Sequence, residues 1–295
     1  MKHSFLRRLA RCWGVALLAC HVAVGAQAPT PSAVPVAAPT SYQFSPVNQA
    51  NISLAAAYWN PIMAYVSEKS GVQLALKIGR TSADTTRFVM AQEVDFVFSN
   101  HLFSPEREKL GWRVFGRRLT PALHGQVVVA ADSGITDLKQ LNGLEVVFPG
   151  PEAFVAYKVP YAHLLSLGVS VKPSFGGNMD GALAQLFSGK VVAAGANSQL
   201  VEAYARREHK KYRVLWSSEA FHDLALMASA RVPDGDVKAV AKAFSGMAKD
   251  PAGRAILAQV SLLIGLTDEA YFIPSDGSEY APYRRFFQTA PASLR

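Results

Sequence analysis

Three polar residues placed directly after a buried apolar run are the first candidates for chemistry. Ser99, Asn100 and His101 follow Phe96-Val97-Phe98, a short apolar run of the kind that forms a strand buried on both faces. Polar groups at the carboxyl end of such a strand face the crevice in which open α/β sheets bind ligands. A turn with a helix cap is the competing reading. The same rule selects Tyr58 and Trp59 early in the first helix, Arg80, Thr81 and Ser82 after the second strand, and Asn197 and Ser198 after Ala194-Gly195-Ala196. Arg80 has the fork geometry to clamp a carboxylate or another oxyanion, or is an exposed loop arginine. Thr81-Ser82 and Asn197-Ser198 are equally suited to capping the helices that follow them.

Reaction chemistry has little support. His222-Asp223 pairs an acid with a base, but adjacent residues of an extended segment point to opposite sides. No HExxH, Walker loop or GxSxG motif occurs, and the seven histidines are scattered without an i,i+4 pair. The chain therefore reads as a binder and not an enzyme, with no cofactor and no metal site expected.

Short apolar strands alternate with amphipathic helices from Tyr42 onward. Strands are predicted at 42–47, 72–78, 95–99, 114–119 and 126–131, with helices at 53–70 and 84–92. A second set places strands at 145–148, 169–174 and 191–194, and helices at 152–167, 179–188 and 198–207. Strands at 213–217 and 224–230 and helices at 234–249 and 251–259 follow. Gly71, Gly168 and Gly189 supply the stops, and Asp250-Pro251 a break. Such alternation predicts an α/β protein with mostly parallel sheets flanked by helices. Two lobes result, 42–123 plus 220–295 and 124–219. The chain crosses between them near His124 and near Ala220, which makes a hinge with a ligand cleft beside it. His124 reads as either hinge or ligand contact.

Half of the 295 residues are apolar, enough for one large core or two modest ones, and the formal charge is +8. Lys2, Arg7, Arg8 and Arg11 carry half of that excess, and without them 26 basic residues face 22 acidic ones. The one compact basic cluster, Arg206, Arg207, Lys210 and Lys211, is interleaved with Glu202 and Glu208, so nucleic acid is not an expected partner. The basic start, the apolar run Cys12–Gly25 and Ala26-Gln27-Ala28 form a secretory signal over 1–28. Leu17-Leu18-Ala19-Cys20 also resembles a lipobox, so soluble export and a lipid anchor at Cys20 both stand. Residues 29–41 form a Pro/Ala-rich linker. Both cysteines fall inside the signal, which leaves the mature domain without disulfides or thiol chemistry.

Several segments in order carry a family resemblance. They are Trp59-Asn60-Pro61 through Glu68 to Gly71, Asp95-Phe96-Val97-Phe98, Gly134 to Gly143, Pro151 to Pro160, Ala182 to Gly189 and Asp250-Pro251-Ala252-Gly253. Over residues 42–260 the chain resembles the phosphate/phosphonate-type substrate-binding proteins of ABC importers. That resemblance implies the type II periplasmic binding fold, a periplasmic location, a small-molecule ligand, an inner-membrane ABC permease as partner, and a monomer. A ligand-sensing role toward a membrane receptor kinase is the alternative.

The family's hydroxyl-rich motif, Asp-Pro-x-Ser-Thr-Ser-Gly, cages an oxyanion at a helix N-terminus. Here the matching stretch is Gly150-Pro151-Glu152-Ala153-Phe154-Val155-Ala156, without the hydroxyls and with an added carboxylate. Phe154 and Tyr157 then offer an aromatic wall instead. Asn178 follows Gly176-Gly177 where the family has a histidine, and Phe103 stands where it tends to have a tyrosine. Phosphonate, phosphate, carboxylate and less charged solutes all remain open as ligands.

Overall fold

The computed structural model describes residues 41–265 and 270–295. The signal over 1–28, its cysteines Cys12 and Cys20, and the linker as far as residue 40 lie outside the described residues.

The elements follow the expected order. They run β1 (Ser41–Pro46), α1 (Ile52–Ser70), β2 (Gln73–Leu76), α2 (Asp84–Met90), β3 (Phe96–Ser99), α3 (Pro105–Glu108), β4 (Arg113–Leu119) and β5 (Leu123–Ala130). The next set is β6 (Glu145–Phe148), α4 (Val159–Ser166), β7 (Lys172–Phe175), α5 (Met179–Phe187), β8 (Ala193–Asn197), α6 (Ser198–Arg207) and β9 (Tyr212–Phe221). The return segment holds β10 (Ala225–Ala228), α7 (Asp234–Gly246), α8 (Pro251–Leu263), β11 (Tyr271–Pro274) and α9 (Ala281–Thr289).

Local chemistry explains the boundaries. The Asn51 side chain accepts from Leu54 N at the start of α1, and Gly71 ends it in the left-handed region at φ 73°. Asp137 and Gln140 form a reciprocal capping box on the turn that enters the second sheet.

Two sheets result, one of six strands in the order β11-β4-β10-β3-β1-β2 and one of five in the order β7-β6-β8-β5-β9. The two-lobed α/β architecture is as expected, but the pairing is mixed where mostly parallel sheets were expected. β1 pairs in parallel with β2 and β3, and β6 with β7 and β8, while β10, β4, β11, β5 and β9 join antiparallel. The cause lies in the connections. β4 reaches β5, and β9 reaches β10, by short crossings between sheets, with no crossover helix to restore the parallel sense. β5 and β9 stay paired as far as Leu123 and Phe221, so both crossings leave from one ladder.

Two further corrections follow. The helix expected over 152–167 is a π-helical turn, Phe154–Lys158, continued by α4. Tyr157 N and Lys158 N both bond Ala153 O, and Pro160 in the next turn has no N–H to tighten it. The return segment carries two strands where one was expected. β11 pairs with the edge of β4.

One core lies between the first sheet and α1, α7 and α8, built on Phe44, Trp59, Phe96, Phe98, Phe244 and Phe272. On its other face Val97, Phe103, Met227, Tyr280 and Tyr283 pack with Phe154, Val155 and Phe221. That cluster therefore joins residues of the first sheet to residues beside the second. Further along the C-terminus, Ala290 and Leu294 enter the core of the second sheet.

Candidate functional site

The two halves meet along a cleft at the carboxyl ends of β1, β3, β6 and β8. Ser82 N donates to Gly177 O at 2.8 Å, Met179 N to Gln49 O at 3.2 Å, and Asn51 N to Asp180 Oδ2 at 3.3 Å. The cleft holds a chamber of about 40 Å³, space for about three water-sized groups. Asn48, Gln49, Ser82, Asn100, His101 and Asn197 contribute its polar lining, and Ala153, Phe154, Val155 and Ala156 line it as well.

Each group is set by its element. Asn100 and His101 leave β3 in a turn in which Ser99 Oγ accepts from His101 N at 3.0 Å. The His101 ring meets Thr86 Oγ1 at 3.0 Å through Nδ1. Burial drives its pKa down to about 4, with the positive charges of Arg107 and Lys158 adding to the effect and Glu152 opposing it. The imidazole is thus neutral at neutral pH. Asn197 ends β8 and caps α6, its Oδ1 accepting from Gln199 N and Leu200 N. Phe154, Val155 and Ala156, the first residues of the π-helical turn, line the chamber, and N–H groups at a helix start have no carbonyl to bond inside the helix. Gly125 and Gly195 let β5 and β8 lie close beneath it, because a Cβ there would sit 2.4 Å from Val155 O and Ala156 O respectively.

Among the described residues, no Lys, Arg, Asp or Glu lines this chamber. The added carboxylate, Glu152, does not line it. Arg107 on α3 grips Glu152 with both terminal nitrogens, at 2.5 and 2.9 Å, and also donates to His101 O at 2.8 Å. Burial alone would raise the Glu152 pKa, but the hydrogen bonds from Arg107 and the nearby positive charges hold it below the usual range. The pair joins an element of the first sheet to the loop after β6, so it latches the cleft while removing the charge from it.

A second chamber of about 40 Å³ shares Val47, Gln49 and Leu200 with the first. Tyr58, Trp59, Phe98 and Arg118 line it. Arg118 is fully engaged below it, with Nε on Asp223 Oδ2 at 2.6 Å and a terminal nitrogen on the Tyr58 hydroxyl at 3.1 Å.

Of the residues selected from sequence, Ser82, Asn100, His101, Phe154 and Asn197 come together around the first chamber. Tyr58 and Trp59 line the second. Ser99 supports the His101 turn from below. The remaining five lie elsewhere. Arg80 is solvent-exposed, and Thr81 N bonds Asp84 Oδ2 at 2.9 Å in a local turn. Tyr157 packs into the second core against Phe148 at 4.8 Å and Phe175 at 5.1 Å. Asn178 caps α5 through Gly181 N, and Ser198 Oγ accepts from His124 N beside the first crossing. His222 is exposed while Asp223 is buried on Arg118, so the two do not act as a pair. Asn48 and the Arg107–Glu152 latch were not anticipated. Asn48 was within reach of the rule that selected Asn100, since it directly follows the strand predicted over 42–47; the latch joins residues 45 positions apart and leaves no local signal.

A two-lobed type II periplasmic binding fold, with an interlobe chamber that carries several polar side chains, defines a solute-binding protein. The chain belongs to the family of ABC transporter phosphonate periplasmic substrate-binding proteins, whose family model matches residues 44–280. It is the periplasmic solute-binding component of an ABC-type importer, and a receptor-kinase sensing role is not favoured. Among solved structures, the binding component of a phosphonate transporter from Pseudomonas aeruginosa shares the fold with a TM-score of 0.72 and 16% identity, over 85% of this chain and 87% of that one. PhnD1 from Prochlorococcus marinus in complex with methylphosphonate gives 0.71 and 16%, over 85% and 98%. A Xanthomonas citri protein bound to ATP gives 0.64 and 15%, over 86% and 97%. A search of curated protein sequences gives no significant match.

Proposed function

We propose that this chain captures a small oxyanion of the phosphonate class in the first chamber and delivers it to an inner-membrane permease. One observation carries the reading. Phe154, Val155 and Ala156, the residues that open the π-helical turn, line the same chamber as Ser82, Asn100, His101 and Asn197. A helix N-terminus with neutral donors around it stabilises an anion without a cationic side chain. The missing hydroxyls of the family motif are offset by groups on three other loops. Ser99, Tyr58, Arg80, Thr81, Tyr157, Asn178 and Ser198 take supporting roles at most, through turns, caps and the second chamber.

Around this site we take 1–28 as a signal, 29–41 as a linker, 42–123 with 220–295 as one lobe and 124–219 as the other, in a monomer exported to the periplasm. Whether Cys20 carries a lipid decides between a tethered and a soluble form. We assign no catalysis: Ser82 Oγ is buried without a partner among the described residues, so no base activates it.

A thermal-shift series with the purified protein tests the ligand class. Methylphosphonate at 100 times its dissociation constant stabilises the fold by about 2.7 kcal/mol, and a simple amine does not. A shift with amines and none with any oxyanion would refute the reading.

A further inference from the structure

Asn48 is the buried polar group that the site, as described so far, leaves unused. It follows β1, is 1% exposed and lines the first chamber. Its Nδ2 is committed to two carbonyls, Gly79 O at 3.0 Å and Arg80 O at 3.4 Å. Those bonds fix the amide orientation, because a flip would set Oδ1 against both carbonyl oxygens. Oδ1 is left as a buried acceptor with no donor among the described residues. A buried acceptor left in that condition is costly, and a ligand that brings a donor to it gains what an acceptor-only ligand cannot.

The remaining lining sharpens this. Ser82, Asn100, His101 and Asn197 in the chamber's lining are side chains that can donate to an anion, and among the described residues no cationic side chain lines it to neutralise a second negative charge. An acceptor-only ligand would also place a lone pair against Asn48 Oδ1. We propose that Asn48 Oδ1 accepts a hydrogen bond from the bound oxyanion, so that the chamber selects a singly protonated phosphonate and rejects a sulfonate of the same shape. The singly protonated phosphonate keeps one O–H to give; the sulfonate has none. This rests on the oxyanion reading above and adds the residue that discriminates within that class.

Titration calorimetry with methylphosphonate and methanesulfonate at neutral pH tests it, on the wild type and on Asn48→Ala and Asn48→Ser. The wild type prefers the phosphonate by at least about tenfold. In Asn48→Ala the preference falls to within about threefold, mainly by loss of phosphonate affinity. Asn48→Ser, which keeps an acceptor, retains part of it. Equal wild-type affinities would overturn the inference, since ordered water would then satisfy Oδ1. An undiminished preference in Asn48→Ala would overturn it as well, and if that variant does not fold, Asn48→Leu and the wild-type comparison decide. Binding of neither ligand to the wild type would instead remove the oxyanion reading itself.

Discussion

Asp223→Ala lowers the stability of the protein by about 3–5 kcal/mol, the cost of leaving one partner of a buried ion pair alone. Asp223 lies between β9 and β10 at the second crossing, and Arg118 lies at the end of β4 just before the first. Their side chains are 1% and 3% exposed. Burial by itself would lower the Arg118 pKa, but Asp223 and the Tyr58 hydroxyl raise it, so the guanidinium stays charged in the core. The same aspartate caps its own turn through Leu224 N, and Tyr280 Oη donates to its carbonyl at 2.6 Å. Removing the carboxylate strands the guanidinium between the Phe98 and Tyr58 rings, 5.0 and 5.7 Å from their centroids. Urea denaturation measures the loss. A decrease below about 1 kcal/mol would contradict the assignment, and Arg118→Met added to Asp223→Ala recovers much of the stability because it removes the unpaired charge.

Phe154→Ala also costs about 3–5 kcal/mol. The residue stands where the family has a hydroxyl, but it serves the packing of the chain's end. Its ring lies 4.3 Å from Tyr283, 4.9 Å from Phe286 and 5.6 Å from Phe287 on α9, and 5.5 Å from Phe221 at the end of β9. Truncation leaves a cavity where the π-helical turn meets the C-terminal helix. Circular dichroism during denaturation reads the effect, and a loss below about 1 kcal/mol would show that α9 does not depend on this contact.

Much of the fold was legible because its signals are local. The Gly71 stop and the buried Phe96-Val97-Phe98 run each need only a few neighbouring residues. β11 was not legible, since Tyr271–Pro274 is short and its strand character comes from pairing with β4 across more than 150 residues. The π-helical turn was missed because helical periodicity does not register one extra residue in a turn. In the site, the rule that polar groups after buried strands face the cleft held for Asn100, His101 and Asn197. It misdirected Arg80, whose loop turns outward, and it was not carried to Asn48. Tyr157 looked like a cleft residue beside Phe154, yet their side chains leave the turn toward different cores. Glu152 looked repulsive to an anion because its partner is distant in sequence.

That last point allows the most direct test. The central claim is that neutral donors hold an oxyanion in a chamber kept free of charge by the Arg107–Glu152 pair. Calorimetric titration of methylphosphonate into the wild type, Arg107→Ala and Arg107→Ala/Glu152→Gln measures it. The wild type binds one equivalent. Arg107→Ala, which leaves the carboxylate unpaired beside the chamber, weakens binding by roughly 10- to 100-fold, and the double variant regains most of the loss. No binding by the wild type, or full affinity in Arg107→Ala, would contradict the claim.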